Sequence, residues 1–313
     1  MNTLRVVVSL PNANAYLREQ ANLAKSIGKE LGFEVEVVHA GDDAITQGQQ
    51  LLAIIQSSSG QRPCAFVVEP LTGAGLRRVA QSAVAEGIAW VISNCDVDYI
   101  QELRKAPEIP VFAVTQGQME IGRLQGRQLE ALLPEDASIL YIQGPGTSPV
   151  ATQRRLGMES TKPATVRVTA IRSNWNEDDA CRAVRAWLRL ATSRAEKFDL
   201  VAGQTHELAL GARKAFQNMD DERQKKIWLD LPFIGIGIAQ QVEPLVNKRT
   251  LAAAVVSSLT MELALRILLD AFKTRVQPPE CTRVEASSYP VLEKLRRYAK
   301  PAREILPEAR FVR

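Results

Sequence analysis

Histidine is almost missing from this sequence. His39 and His206 are the only two in 313 residues, so a histidine-built metal centre is not expected. Cysteine is sparse as well. Cys64, Cys95, Cys181 and Cys281 lie far apart with no C-x-x-C pair, which argues for reduced, mostly core thiols over a disulfide framework. No stretch approaches the roughly 20 apolar residues that cross a bilayer. Met1-Asn-Thr-Leu-Arg5 runs straight into Val6-Val-Val8, without the basic region, apolar core and cleavage site of an export signal. The chain as written is therefore expected in the cytoplasm, or in the periplasm if a leader has been removed. Glycine is missing where a phosphate would need it. The first apolar run leads into Ser9-Leu-Pro-Asn-Ala-Asn14, without the glycines of a dinucleotide fold, and Gly144-Pro-Gly-Thr-Ser148 lacks the Gly-Lys-Ser/Thr ending of a nucleotide loop. No cofactor is called for. Charge of one sign is also scarce outside the C-terminus. The net charge is +4, and seven Lys/Arg against three Glu between Tyr289 and Arg313 account for all of it. A near-neutral body argues against direct nucleic-acid binding, while the basic tail suits an acidic partner.

What is present is an alternation of short apolar runs and longer helical patterns. The expected strands are Leu4–Leu10, Val35–Val38, Ala65–Val68, Ala89–Ile92 and Pro110–Val114, then Ile139–Ile142, Val166–Ile171, Leu200–Ala202, Phe233–Ile236 and Leu251–Val256. Helices are expected between them, at Asn14–Leu31, Gln47–Gln56, Leu76–Glu86, Met119–Leu132, Ala180–Ala191, Glu207–Phe216 and Thr260–Phe272. Near-continuous apolar strands separated by helices mean parallel sheets covered on both faces. Right-handed crossovers make them doubly wound. At 46% hydrophobic and 24% charged residues, the composition supports two such cores. The strand–helix unit recurs in two similar sets. Ile139–Met158 is the most telling segment, because there a buried strand stops at a Gly-Pro-Gly turn and restarts as a polar helix. In open α/β sheets that edge is where ligands bind.

Several segments, in order, resemble the type I periplasmic-binding-protein superfamily of ribose-binding-like solute receptors and lac-repressor-like ligand domains. Val8-Ser9-Leu-Pro-Asn-Ala-Asn-Ala-Tyr16 looks like the first strand and ligand loop of that family, Val68-Glu-Pro70 like its second loop, and Val91-Ile-Ser-Asn-Cys-Asp96 like its third. Gly144–Ser148 followed by Arg154-Arg-Leu-Gly157 is similar to its GTS…R..G turn and helix, and Asn174-Trp-Asn176 to the aromatic loop beyond. Glu207-Leu-Ala-Leu-Gly-Ala212 resembles its E-x-A-x-G-A helix, and Leu251–Ser257 the strand that crosses back between lobes. The resemblance implies two doubly wound parallel-sheet lobes joined by a three-segment hinge. It places the first lobe at 1–116 plus 258–286 and the second at 117–257 plus 287–313.

The departures from the family pattern bear on the ligand. Cys95-Asp96 stands where sugar receptors have Asp-Arg, Thr205-His206 where they have Asn, Gly237 where they have Asp, and Ser257 where they have Gln. Charge-assisted hydrogen bonds to sugar hydroxyls are roughly twice as strong as neutral ones, so the cleft is expected to be less charged and its ligand less hydroxyl-rich.

The candidate ligand-binding residues are Ser9, Asn14, Tyr16, Glu69, Asp96, Gln153, Arg154, Trp175, Thr205 and Ser257. Trp175 is either a platform for the apolar face of a ring or a surface-packed side chain. Tyr16 either closes the other side or belongs to a helix core. The Gly144–Ser148 turn either cradles an anion with its amides or is a tight turn with Ser148 as helix cap, and the second reading is preferred. Arg154 and Arg155 point to different helix faces, so one reaches the cleft and the other is solvated, with Gln153 as the alternative. Glu69 and Asp96 are the acids nearest the strand ends, and neither has an evident partner base. His206 reads as structural, and the Cys95 thiol lacks a neighbour that would activate it.

The resulting expectation is a non-enzymatic protein that holds a small, sugar-like molecule between two closing lobes. A membrane transporter or a signalling protein would be its partner, and nothing in the sequence sets an oligomeric state. The alternative is an α/β enzyme acting on a sugar or nucleotide derivative. The amphipathic stretch around Val291, Leu292 and Leu295 is read either as packed along a lobe or as a solvated end.

Overall fold

Two six-stranded sheets organise the chain, and the central strands of each are runs that bury every side chain. A computed structural model describes residues 4–57, 62–105, 108–190 and 197–296. The first sheet contains β1 (Leu4–Leu10), β2 (Phe33–His39), β3 (Ala65–Val68), β4 (Ala89–Ser93), β5 (Val111–Thr115) and β11 (Cys281–Arg283), in the order β11-β5-β4-β3-β1-β2. The second contains β6 (Ser138–Gln143), β7 (Arg167–Arg172), β8 (Leu200–Gly203), β9 (Phe233–Ile238), β10 (Ala253–Ser257) and β12 (Ser287–Tyr289), in the order β12-β10-β9-β8-β6-β7. The two orders are the same. All pairings are parallel except β12 against β10, and every residue of β3, β4, β5, β6, β8 and β9 is buried. A central strand with both faces covered by helices has no polar side to show.

Local chemistry sets the helix starts. Asn14 caps α1 (Ala15–Leu31) and Asp43 caps α2 (Ala44–Gln56), three residues ahead of the expected start. Thr205 caps α8 (His206–Gln217), and its side chain accepts from the Leu208 amide. Asn176 caps α7 (Glu177–Leu188), whose first turn carries Glu177, Asp178 and Asp179. Carboxylates there complement the exposed amides and the helix dipole. The remaining helices are α3 (Arg77–Ala85), α4 (Ile100–Leu103), α5 (Gln118–Leu132), α6 (Pro149–Thr161), α9 (Glu222–Leu229), α10 (Ala239–Asn247) and α11 (Met261–Thr274). Sequence patterning misses α4, α9 and α10. The first is four residues long and the third carries Pro244 inside it. It also misses β11 and β12, which have three residues each.

The chain passes between the sheets three times, at 116–117, 258–260 and 284–286. Gly117 at the first crossing has φ +66, a backbone conformation that side chains other than glycine's strain to adopt. Immediately beyond it, α5 and α6 pack nearly backbone to backbone. A Cβ on Gly157 would lie 2.0 Å from the Met119 carbonyl oxygen, and one on Gly122 2.1 Å from that of Arg154. This close approach fixes α6, and Arg154 with it, against the hinge. At the C-terminus Leu292 and Leu295 join the core of the second lobe, whereas Val291 is half exposed. The rest of the basic tail, 297–313, lies outside the described residues.

Candidate functional site

Parallel strands deliver their C-terminal ends to one edge of each sheet, and the loops there surround a cavity of about 220 Å³. The first lobe supplies Asn12, Asn14 and Tyr16 after β1, Asp42 after β2, Glu69 after β3 and Asn94 after β4. The second supplies Thr147, Ser148 and Arg154 after β6, Trp175 after β7, Thr205, His206 and Glu207 after β8, Gly237 in β9 and Ser257 ending β10. Both lobes place their ligand-facing loops at the switch points of their sheets, beside β1 and β6.

A chain of buried amides joins the lobes beneath this cavity. Gln116 Nε2 donates to Tyr16 Oη at 2.8 Å and to Asn94 Oδ1 at 3.0 Å, while its Oε1 accepts from the Ser258 amide at 3.0 Å. Gln118 Nε2 donates to Asn94 Oδ1 at 2.7 Å, and its Oε1 accepts from Arg154 Nε at 2.8 Å. Arg154 Nη1 donates to the Gln204 carbonyl oxygen at 2.6 Å. Asn94 Nδ2 donates to Glu69 Oε1 at 2.9 Å, and Glu69 Oε2 has no partner among the described residues.

Two opposite charges are therefore held with little water. Glu69 is 7% exposed and Arg154 6%. Burial pushes the Glu69 carboxyl up to about 7, against the opposing pull of the Asn94 hydrogen bond and the Arg154 charge. Burial likewise lowers the Arg154 guanidinium to about 10, with Tyr16, Tyr141 and Glu69 opposing. Both shifts have the same cause, since a charged form loses its hydration when it is enclosed. Trp175 lies beside them. Arg154 Cζ is 6.0 Å from its ring centroid, within cation–π reach. A Cβ on Gly144 would come within 2.3 Å of the Trp175 ring, so that glycine is what lets the indole lie across the turn.

Asn14, Tyr16, Glu69, Arg154, Trp175, Thr205 and Ser257 all reach the cavity. Tyr16 does so with its hydroxyl committed to the hinge, where it also accepts from Gln20 Nε2 at 2.9 Å and donates to the Ser258 carbonyl oxygen at 3.4 Å. Asn14 and Thr205 each spend a side-chain oxygen on a helix cap. Three other candidates are not part of the wall. Ser9 lies inside β1, fully buried, and accepts from Gln47 Nε2 at 3.2 Å. Asp96 is carried past the cavity because Asn94 takes a left-handed conformation, φ +67, and Cys95 turns into the core. Its carboxylate is 37% exposed and meets Arg283 Nη2 at 3.7 Å instead. Gln153 precedes Arg154 by about 100° of helix rotation and is absent from the wall. Of the two arginines, Arg154 is the one that faces inward.

The Gly144–Ser148 turn is a turn and a cap. The Gly144 amide donates to Gln204 Oε1 at 2.9 Å, the Ser148 amide to the Pro145 carbonyl at 3.0 Å, and Ser148 Oγ accepts from Ala151 N at 3.4 Å. Two of the turn's amides, those of Gly144 and Ser148, are thus already occupied. Sequence reasoning leaves Asp42, Asn94, His206 and Glu207 out of the candidate list, yet all four line the cavity. Four charged side chains, Asp42, Glu69, Arg154 and Glu207, are thus part of the cavity wall. Glu207 also spans the lobes. Burial raises its carboxyl, opposed by a hydrogen bond from the Ala15 amide at the start of α1 and by the Arg18 charge. Asp178, in the first turn of the neighbouring helix α7, pairs with Lys214 of α8 at 2.8 Å on the outer surface.

Comparisons agree with this architecture. A family model described as a periplasmic binding protein domain matches residues 6–271. No curated protein matches the sequence. Among solved structures, the fold is similar to a galactofuranose binding protein, at TM-score 0.77 and 15% identity, covering 93% of this chain and 98% of that one. It is also similar to the periplasmic binding component of the arabinose ABC transporter from Shewanella sp. ANA-3, bound to L-arabinofuranose, at TM-score 0.75 and 14% identity, covering 92% and 93%. A third similar structure is the fructose-binding periplasmic domain of a hybrid two-component system, at TM-score 0.72 and 18% identity, covering 91% and 90%.

Proposed function

Since the chain belongs to the periplasmic binding protein domain family, we propose that it holds a small sugar-like molecule between its lobes without turning it over, as a solute-binding or ligand-sensing protein. The observation that carries this reading is the enclosure, in one cavity, of a carboxylate from one lobe and a guanidinium and an indole from the other. A carboxylate and a guanidinium suit hydroxyl donors and acceptors, and an indole suits the apolar face of a sugar ring. The lobes that close are 1–116 with 258–286 and 117–257 with 287–313, turning about the three crossings. Asn14, Tyr16, Glu69, Arg154, Trp175, Thr205 and Ser257 are the proposed contacts. A membrane transporter or a signalling protein reads the closed state, as the transporter and two-component neighbours suggest, and the periplasm is the compartment the family favours.

Turnover is the weaker reading. Burial raises the Cys95 thiol far from its reactive range, and it is absent from the cavity wall. Glu69 has a suitably raised carboxyl, but its hydrogen-bonded neighbours are amides and offer no nucleophile.

A ligand that binds only the folded state raises the melting temperature in proportion to the logarithm of its concentration over Kd. D-Fructose, L-arabinose, D-galactose or myo-inositol is expected to do so on refolded protein freed of carried-over ligand. A flat response to all four, with no other sugar active, contradicts the sugar-like assignment. Trp175 is expected to change fluorescence on binding, and Trp175→Ala to weaken affinity by about 1–3 kcal/mol, as for a central aromatic anchor. Titration of that variant with wild-type affinity would move the indole out of the binding site.

A further inference from the structure

Gly237 and His206 compete for one space. A Cβ on Gly237 would stand 2.6 Å from His206 Nδ1 and 2.7 Å from Val242 Cγ1. Two residues earlier on the same face of β9, a Cβ on Gly235 would stand 2.8 Å from His206 Cα. At Gly235 the backbone of His206 leaves no room for a side chain, and at Gly237 the imidazole, with Val242 beside it, leaves none while the ring stays where it is. The ring is buried and forms part of the cavity wall. Its Nδ1 lies 3.3 Å from the Ile236 carbonyl oxygen. A carbonyl only accepts, so Nδ1 carries the proton and Nε2 keeps its lone pair. Burial holds the ring below the usual histidine range, against the Ile236 bond, and its place at the start of α8 acts in the same direction. Asp42, Glu69, Arg154 and Glu207 line the same cavity.

We propose that His206 determines ligand specificity by accepting, at Nε2, one hydrogen bond from a ligand hydroxyl, and that Gly237 is the residue whose missing side chain admits the ring. This rests on the sugar-like reading of the cleft. A carboxylate at 237 would accept two hydrogen bonds and bring a charge, whereas the neutral imidazole accepts one and brings none. Glu69 Oε2, unpartnered among the described residues, is the acceptor on the opposite lobe. The cavity therefore selects a neutral polyhydroxy compound that offers a hydroxyl to each lobe. A ligand with an anionic group at the His206 end would set its charge against a bare lone pair.

Nitrogen-15 spectra of the full chain read the tautomer without any ligand. The chain has only two histidines, so His39→Gln assigns the signals. His206 is expected as the Nδ1–H tautomer at pH 7, and Gly237→Ala is expected to shift its resonances. An Nε2–H tautomer, or resonances unmoved by Gly237→Ala, would overturn the proposal. Calorimetric titration with D-fructose, L-arabinose, D-galactose and myo-inositol supplies the ligand side. His206→Gln keeps an acceptor and is expected within about threefold of wild-type affinity, whereas His206→Phe keeps the bulk and loses about tenfold. A Phe variant that binds as tightly as wild type also overturns it, provided its circular dichroism shows it folded. If the wild-type protein binds none of the four, the sugar-like reading fails and the ligand half of this proposal falls with it. The spectra still decide the ring's state and its coupling to Gly237.

Discussion

Arg154→Ala is expected to cost about 3 kcal/mol of folding stability and to weaken sugar binding by about a hundredfold. The guanidinium donates through Nε to Gln118 at 2.8 Å and through Nη1 to the Gln204 carbonyl at 2.6 Å. Both acceptors are buried, and removal of the donors leaves them without that partner where water has little access. Glu69 also loses a positive charge that opposes the effect of its burial. Lysine is not expected to rescue, because one ammonium lacks the planar fork that serves two diverging acceptors. Chemical denaturation of wild type, Arg154→Ala and Arg154→Lys reads the stability loss, and calorimetry reads the binding. An Arg154→Ala variant as stable as wild type would mean that water already solvates both acceptors, and the side chain would lose its role as the brace of the cleft.

That brace shows why the site is only partly legible in the sequence. Buried parallel strands write themselves as near-continuous apolar runs, so β1, β3, β4 and β6 are plain from Leu4–Leu10, Ala65–Val68, Ala89–Ile92 and Ile139–Ile142. A loop residue's direction is not written that way. Asn94 and Asp96 are both polar and two residues apart, and which of them meets the cavity is decided by the φ of +67 at Asn94. Motif reasoning prefers the acid, and the backbone turns it away. Gln116 and Gln118 look like ordinary hinge polar residues, yet their network with Tyr16, Asn94 and Arg154 joins both lobes. Such amides become informative only when the partners from distant segments are known. Asp42 is invisible for the same reason, since its proximity to Asn12, 2.6 Å between side chains, depends on β2 lying beside β1. His206 illustrates a different limit. A lone histidine at a helix start reads as structural, and only the clearance at Gly237 reveals that the strand opposite has given way to it.

Glu69 is expected to make the empty protein lose stability as the pH rises. Its carboxyl is pushed up to about 7 in the folded chain, chiefly by burial, from an ordinary value of 4.5. A raised folded-state value means that the folded form binds the proton more tightly than the unfolded form does. The stabilisation from that proton is complete below the unfolded value and is lost as the pH passes through 7. Integrated from pH 4 to pH 8, the loss is about 3 kcal/mol. Glu69→Gln keeps the shape and the acceptor for Asn94 but has no proton to lose. The variant should match wild type near pH 4 and exceed it by about that amount at pH 8 in urea denaturation. A difference between the two proteins that stays constant across this range would show that Glu69 is solvated and ordinary. The same carboxylate gives ligand binding the opposite sign. A ligand hydroxyl donated to Oε2 favours the ionised form, so sugar affinity should rise from pH 6 to pH 8 with release of a proton, and Glu69→Gln should bind weakly at every pH. Calorimetry in buffers of different ionisation enthalpy counts that proton. Proton uptake on binding would mean that the ligand meets Glu69 with an acceptor, and the polyhydroxy assignment at this end of the cleft would have to be reversed.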